Sequence, residues 1–276
     1  MKNNEPFFYK VFKIILGPIF KFYYKPKIIG KENIPKDGPI LVVGNHKHLY
    51  DQCLAILATK RVIHYMAKKE YFDDKKVAWF FKISGCISVD RQNKDKEAAA
   101  KAIELLNNNK AVGLFPEGTR NGLKEERIKE LYDKYKKDVK SYDEFSEIVK
   151  KQRTSQVNYL EELLEKKVIK KKEFISNLGR VDDYLKELLK KDIINEDEYY
   201  NSILLEFKFG SVSMAKKTDS YLVPYGITGE YKFRSKDLTV NIGKPIKVSD
   251  DLEASNNELR DEIIRLMKES YKNSGK

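Results

Sequence analysis

The chain has 276 residues but only two cysteines and three histidines. Cys53 and Cys86 are too few to frame a disulfide scaffold, and they fit a reducing compartment. Long hydrophobic runs are also missing. The longest near the N-terminus, Ile14 to Phe20, falls far short of the roughly 20 residues a spanning helix needs. No small-residue cleavage site of the A-x-A kind follows it, so a signal peptide is not expected. No G-x-x-x-x-G-K-[ST] occurs, which excludes a P-loop, and no recognised nucleic-acid motif is found. His46, His48 and Cys53 are metal-donor types, but no further ligand cluster supports them and no metal is expected.

Charge is plentiful. Charged residues make up 35% of the chain, and the formal net charge is +12, against a usual charged share of about 25%. The surplus is unevenly spread. Between Leu123 and Leu204 there are 19 basic and 19 acidic residues, so the remainder carries the whole excess. A basic surplus confined to one part of a chain points to anionic partners there: phosphate, an acidic carrier protein, nucleic acid or anionic lipid.

At the N-terminus, aromatic and aliphatic residues interleave with Lys10, Lys13, Lys21 and Lys25. Residues 1–27 therefore suit a segment lying in a lipid interface, or a helix covering the core. Gly17 and Pro18 are expected to interrupt a long helix there. From Pro39 on, short apolar runs alternate with helix-like stretches. Strands are expected at Ile40–Gly44, Val62–Met66, Cys86–Val89, Ala111–Phe115, Tyr221–Ile227 and Leu238–Ile242. Helices are expected over Gln52–Thr59, Val77–Ile83, Lys94–Asn107, Gly210–Lys216 and Asn256–Tyr271. This alternation predicts an α/β fold, a mixed sheet flanked by helices, with functional groups after the carboxyl ends of its strands. Residues 28–122 and 205–276 would form that domain.

The neutral stretch, 123–204, reads as an all-helical repeat insert. Leu160–Ile169 and Leu185–Ile194 match at an offset of 25 residues, and each runs on to a Glu-aromatic pair, Glu173-Phe174 and Glu198-Tyr199. A weaker copy ends in Glu144-Phe145. Each copy reads as a helix, a polar turn and a second helix. It carries no catalytic grouping and reads as a spacer or docking module.

Two histidines lie in Gly44-Asn45-His46-Lys47-His48-Leu49-Tyr50-Asp51. Histidine suits general-base work near neutral pH, best when a carboxylate fixes its tautomer. Positions five apart on one helix point about 140° apart. His46 and Asp51 can therefore meet only if His46 sits on the turn leaving a strand and Asp51 opens the next helix. A second group, Phe115-Pro116-Glu117-Gly118-Thr119-Arg120, follows another buried strand. Its guanidinium, glycine and hydroxyl suit a phosphate, although Glu117 and Arg120 could equally form a salt bridge.

In this order, Asn-His-x-x-x-x-Asp and Phe-Pro-Glu-Gly-Thr-Arg resemble the glycerophospholipid acyltransferase family, notably the lysophosphatidic acid acyltransferases. Gly85-Cys86-Ile87-Ser88-Val89-Asp90-Arg91 and Leu222-Val223-Pro224-Tyr225-Gly226-Ile227 resemble two further family blocks, and Phe207–Gly210 and Gly243–Ile246 fit later segments. The resemblance covers about Ile28–Asn121 and Glu206–Met267, with the insert and Asn121 as departures. It implies that His46 is the base and Asp51 its partner, with Arg91, Glu117, Gly118, Thr119 and Arg120 placing the acceptor's phosphate. It further implies acyl transfer from an acyl carrier protein or coenzyme A thioester to 1-acyl-glycerol-3-phosphate. No cofactor would be bound, and the setting would be an anionic membrane surface, on its cytoplasmic face. Glycerol 3-phosphate or another lysophospholipid is the alternative acceptor. A non-catalytic lipid-binding module would not require the whole constellation, and the membrane accounts for the charge without nucleic acid.

Overall fold

The structure is a computed structural model that describes residues 7–90, 96–139 and 141–272. The chain divides into a larger unit, 1–118 with 207–276, and a smaller one, 119–206. In the larger unit the chain first forms α1 (Phe7–Tyr24), β1 (Lys27–Ile29), β2 (Ile40–Gly44), α2 (Asp51–Ala58) and β3 (Ile63–Lys68). The short helices α3 (Glu70–Asp73) and α4 (Ala78–Ile83) precede β4 (Ile87–Val89), α5 (Lys96–Asn107) and β5 (Ala111–Leu114). The smaller unit holds α6 (Glu125–Tyr135), α7 (Tyr142–Val149), α8 (Thr154–Glu165), α9 (Lys171–Asn177), α10 (Val181–Lys190) and α11 (Glu196–Ser202). The larger unit resumes with α12 (Gly210–Lys217), β6 (Tyr221–Thr228), β7 (Thr239–Ile242), β8 (Ile246–Lys247) and α13 (Leu252–Lys272).

The sheet order is β1-β7-β6-β2-β5-β3-β4, with β8 also on β6. Strands β6, β2, β5, β3 and β4 run parallel, while β7 and β8 pair antiparallel with β6. The sheet is mixed, and its central strands are those with unbroken apolar runs. Every residue of β2 and β5 is buried, as a parallel strand covered on both faces requires. Ile40 and Val42 pack with Leu54 and Ala55 of α2, and Phe20 and Tyr24 of α1 lie against that cluster. Because β2 and β5 are parallel neighbours, in register from Ile40↔Ala111 to Val43↔Leu114, the turns that follow them emerge at the same sheet edge.

Pro224 sits inside β6 without breaking it. It pairs with Val43 on one side, and its carbonyl accepts the Gly243 N–H at 2.9 Å on the other. The N–H it lacks would face the break between β8, opposite Tyr221–Leu222, and β7, opposite Tyr225–Thr228. A proline is tolerated where the ladder has no acceptor to offer. Two strand glycines make room for tyrosines. A Cβ on Gly44 would meet the Tyr225 ring at 2.2 Å, and one on Gly113 would meet the Tyr65 ring at 2.6 Å. The two buried hydroxyls approach to 3.3 Å, which gives each a partner inside the core.

Helix α1 runs unbroken through Gly17 and Pro18, contrary to the interruption the sequence suggests. Proline removes one intrahelical hydrogen bond, and tertiary packing outweighs that loss. Gly17 is buried where α1 meets Leu57 of α2. The Tyr9 hydroxyl accepts the Ile63 N–H at 3.2 Å, and the Lys13 amine donates to the Thr59 carbonyl. Burial, then repulsion from Lys21, brings the Lys13 amine down to about 8. The outer side of the same helix exposes Ile14, Ile15, Leu16, Ile19, Phe22 and Tyr23. Among the described residues, no helix is long and apolar enough to cross a membrane.

In the smaller unit, α8–α9 and α10–α11 follow one another as helix pairs. Glu173 accepts the Lys170 N–H at 2.8 Å and Glu198 accepts the Asn195 N–H at 2.7 Å, while Asn195 accepts the Glu198 N–H in return. The aromatic after each glutamate, Phe174 or Tyr199, is buried. The repeated Glu-aromatic step thus starts a helix and anchors it. Asp182 lies between Arg153, Gln156, Lys186 and Tyr199. Burial alone would raise its carboxyl, but Arg153, Gln156 and Lys186 outweigh it and bring it to about 2.

Candidate active site

The turn after β2 carries His46, and α2 opens on Asp51. Across that strand-to-helix junction, His46 Nδ1 lies 2.9 Å from Asp51 Oδ2. The same oxygen accepts the Lys47 and His48 backbone N–H groups, both at 2.7 Å. These amides belong to the turn ahead of the helix, so a carboxylate at the first helical position satisfies donors that the backbone leaves open. Asp51 is fully buried, and the His46 side chain keeps 12% exposure. With Nδ1–H given to the carboxylate, Nε2 is the ring atom available to take a proton.

Three neighbours hold this turn. Asn45, also buried, extends the pairing of β2 with β6 by one side chain. Its Oδ1 accepts the Ile227 N–H at 2.7 Å, and its Nδ2 donates to the Ile227 carbonyl at 3.1 Å. Glu117, 3% exposed on the turn after β5, accepts the His46 backbone N–H at 2.7 Å. Phe115 lies flat against the imidazole, with centroids 3.8 Å apart and planes 8° apart, and Tyr65 packs behind it. The base is therefore fixed by a carboxylate at its ring, a carboxylate at its backbone and an aromatic wall.

Two contacts come from distant segments. Tyr231, on the segment joining β6 to β7, donates its hydroxyl to Asp51 Oδ1 at 2.7 Å. Lys208 places its backbone N–H on the Pro116 carbonyl at 2.9 Å, and its side chain crosses Gly118. Gly118 has φ +69°, and a Cβ there would meet Lys208 Cε and Nζ at 2.9 Å. The glycine is thus required by its backbone angle, and the flexible end of the lysine lies over it. Sequence reasoning singled out neither Tyr231 nor Lys208 as a site residue. Only the position of Lys208, just after the insert in a segment fitting the resemblance, hinted at it.

Of the residues proposed from sequence, His46, Asp51, Glu117 and Gly118 converge in the larger unit. Thr119 and Arg120 belong to the smaller unit, where Thr119 is half-buried and Arg120 exposed. Arg91 lies outside the described residues. Of the three metal-donor types, His46 bonds Asp51, His48 stacks on Tyr231 at 4.2 Å, and burial pushes the Cys53 thiol up to about 12. Both cysteines are free thiols.

The sequence pattern of the family described as Acyltransferase matches residues 25–228. The chain belongs to that family. A 1-acyl-sn-glycerol-3-phosphate acyltransferase of Bacillus subtilis (strain 168) is 37% identical over 95 residues, 34% of this chain and 48% of that protein. A probable 1-acyl-sn-glycerol-3-phosphate acyltransferase of Mycoplasma pneumoniae is 32% identical over 123 residues, 41% of this chain and 44% of its own length. The chain thus spans about half the length of the curated relatives it matches, or less. Its fold is similar to the crystal structure of the 1-acyl-sn-glycerophosphate (LPA) acyltransferase PlsC from Thermotoga maritima. The TM-score is 0.54 at 20% identity, over 98% of this chain and 83% of that one. The acyltransferase fold is therefore established on this chain by sequence pattern and by architecture.

Proposed function

We propose that this acyltransferase moves a fatty acyl group from a thioester to the free hydroxyl of 1-acyl-glycerol-3-phosphate, giving phosphatidic acid. The observation that carries this reading is the His46–Asp51 pair, with Nε2 on the side of a partly exposed ring away from the carboxylate. His46 takes the acceptor hydroxyl's proton as the oxygen attacks the thioester carbonyl. The new C–O bond forms, the tetrahedral adduct collapses, and the C–S bond breaks to release a thiolate. Asp51 orients the imidazole and stabilises its protonated form, the division of labour seen in hydrolytic triads. A model thiol ionises near about 8.5, so the leaving group needs no strong acid.

Lys208 beside the Gly118 turn supplies a cation for the acceptor's phosphate, and Arg91, Thr119 and Arg120 carry the phosphate role that the resemblance assigns them. Glu117 serves the base instead, because its carboxylate holds the His46 N–H. The relatives' printed names favour the lysophosphatidic acid acceptor over glycerol 3-phosphate or another lysophospholipid. A panel of these acceptors against acyl carrier protein and coenzyme A thioesters tests the reading, with purified full chain in detergent. Fastest turnover is expected with 1-acyl-glycerol-3-phosphate; absence of acyl transfer to every acceptor would falsify the function.

The exposed apolar side of α1, with Lys10 and Lys21 also exposed, suits an anionic membrane surface on its cytoplasmic side. Apolar side chains would enter the headgroup boundary while lysine tips stay with the phosphates. Replacing Ile15, Ile19 and Phe22 together by serine leaves the buried side of α1 intact. The triple variant is expected to lose at least about tenfold in partitioning to anionic vesicles, measured by sedimentation. Unchanged sedimentation refutes this role.

A further inference from the structure

We propose that Tyr231 is a positioning residue for the His46–Asp51 pair, its hydroxyl setting the plane of the carboxylate that faces the imidazole. The inference rests on the acyl-transfer reading for its kinetic consequence, but its geometry stands apart from the reaction. Asp51 Oδ2 takes three N–H groups, from the His46 ring and from the Lys47 and His48 backbones. Oδ1 takes the Tyr231 hydroxyl at 2.7 Å. A buried carboxylate held on one oxygen alone keeps rotational freedom about its terminal bond; held on both, its plane is set.

The ring that delivers this hydroxyl is itself fixed. His48 stacks on one side at 4.2 Å, and Tyr24 of α1 meets it edge-on at 5.6 Å. Tyr231 therefore links α1 to the base through consecutive contacts, Tyr24 to Tyr231 to Asp51 to His46. Burial first, and the Asp51 charge second, push its phenol well above the ordinary value, so it stays a donor throughout the neutral range. Donation to Oδ1 draws charge from the carboxylate. Removing it leaves Asp51 a stronger partner for the imidazolium.

Several other ionisable groups among the described residues surround the pair. Lys47, His48 and Cys53 come from its own turn and helix, and Glu117 from the turn after β5. Glu230 sits beside Lys47. Tyr65 and Tyr225 lie in the core near Asp51, and Tyr24 and Tyr50 beside Tyr231. All of them keep their side chains in Tyr231→Phe, and Tyr225 loses an electrostatic contact with the Tyr231 phenol.

The experiment compares the wild-type full chain with Tyr231→Phe. Steady-state rates are measured with varied lysophospholipid between about pH 5 and 9. The expected result is a kcat about tenfold lower, with acceptor KM within about twofold, and an acidic limb displaced to higher pH. In parallel, histidine ring nitrogens are followed by NMR, with His46 identified as the signal missing in His46→Gln. Its titration midpoint is expected to rise in Tyr231→Phe. An unmoved midpoint overturns the proposal, including when kcat falls together with thermal stability, since that pattern is merely structural. Should the wild type transfer no acyl group, the proposed function fails while the NMR titration still decides the role of Tyr231.

Discussion

Replacing His46 by alanine is expected to lower kcat for acyl transfer at least about 10³-fold, with the acceptor still bound. The imidazole is the group that the site is built to hold. Its ring is gripped by Asp51, its backbone by Glu117 and its face by Phe115. Alanine keeps the backbone N–H on Glu117, so the turn survives, but no group remains at Nε2 to take the hydroxyl proton. Lys208 and the Gly118 turn, the elements expected to hold the phosphate, are untouched, so binding is expected to persist. Initial rates together with equilibrium dialysis of radiolabelled acceptor separate the two effects. Near-normal turnover by this variant would remove His46 from the mechanism.

Asp51→Asn is the sharper test of the pair. An asparagine oxygen in the place of Oδ2 can still accept the Lys47 and His48 N–H groups, while its amide nitrogen faces Tyr231, whose hydroxyl also accepts. The fold therefore has a way to absorb the change. The reaction has none, because a neutral amide cannot balance an imidazolium. The expected loss in kcat is about 10²–10³-fold, given that positioned general bases contribute about 10²–10⁴-fold. Circular dichroism close to wild type is the expected companion result. A rate within a few-fold of wild type would show that Asp51 serves the turn rather than the proton transfer.

The parts legible in sequence are those written in local period and spacing. The buried strands Ile40–Gly44 and Ala111–Leu114 announce themselves as apolar runs. The five-residue step from His46 to Asp51 makes sense only across a strand-to-helix junction, where the structure places it. What stayed hidden depends on contacts between distant segments. Tyr231 lies 180 residues from Asp51, and nothing local marks its hydroxyl as that carboxylate's partner. Asn45 completes the β2–β6 pairing only once β6 lies alongside. The continuity of α1 through Pro18 depends on Leu57 and Ile63, neither of which belongs to that helix. The short strands β1 and β8 carry too few residues for a period to show.

The hydrogen bond from the Lys208 N–H to the Pro116 carbonyl has a consequence for how such a chain can change over generations. It ties the strand of chain leaving the β5 turn to the strand returning from residues 119–206. Closing a longer loop at this point adds only about 0.6 kcal/mol per doubling of length. The length of the chain between Pro116 and Lys208 therefore enters the closure cost only weakly, so this point can accept new sequence while the base stays under separate selection.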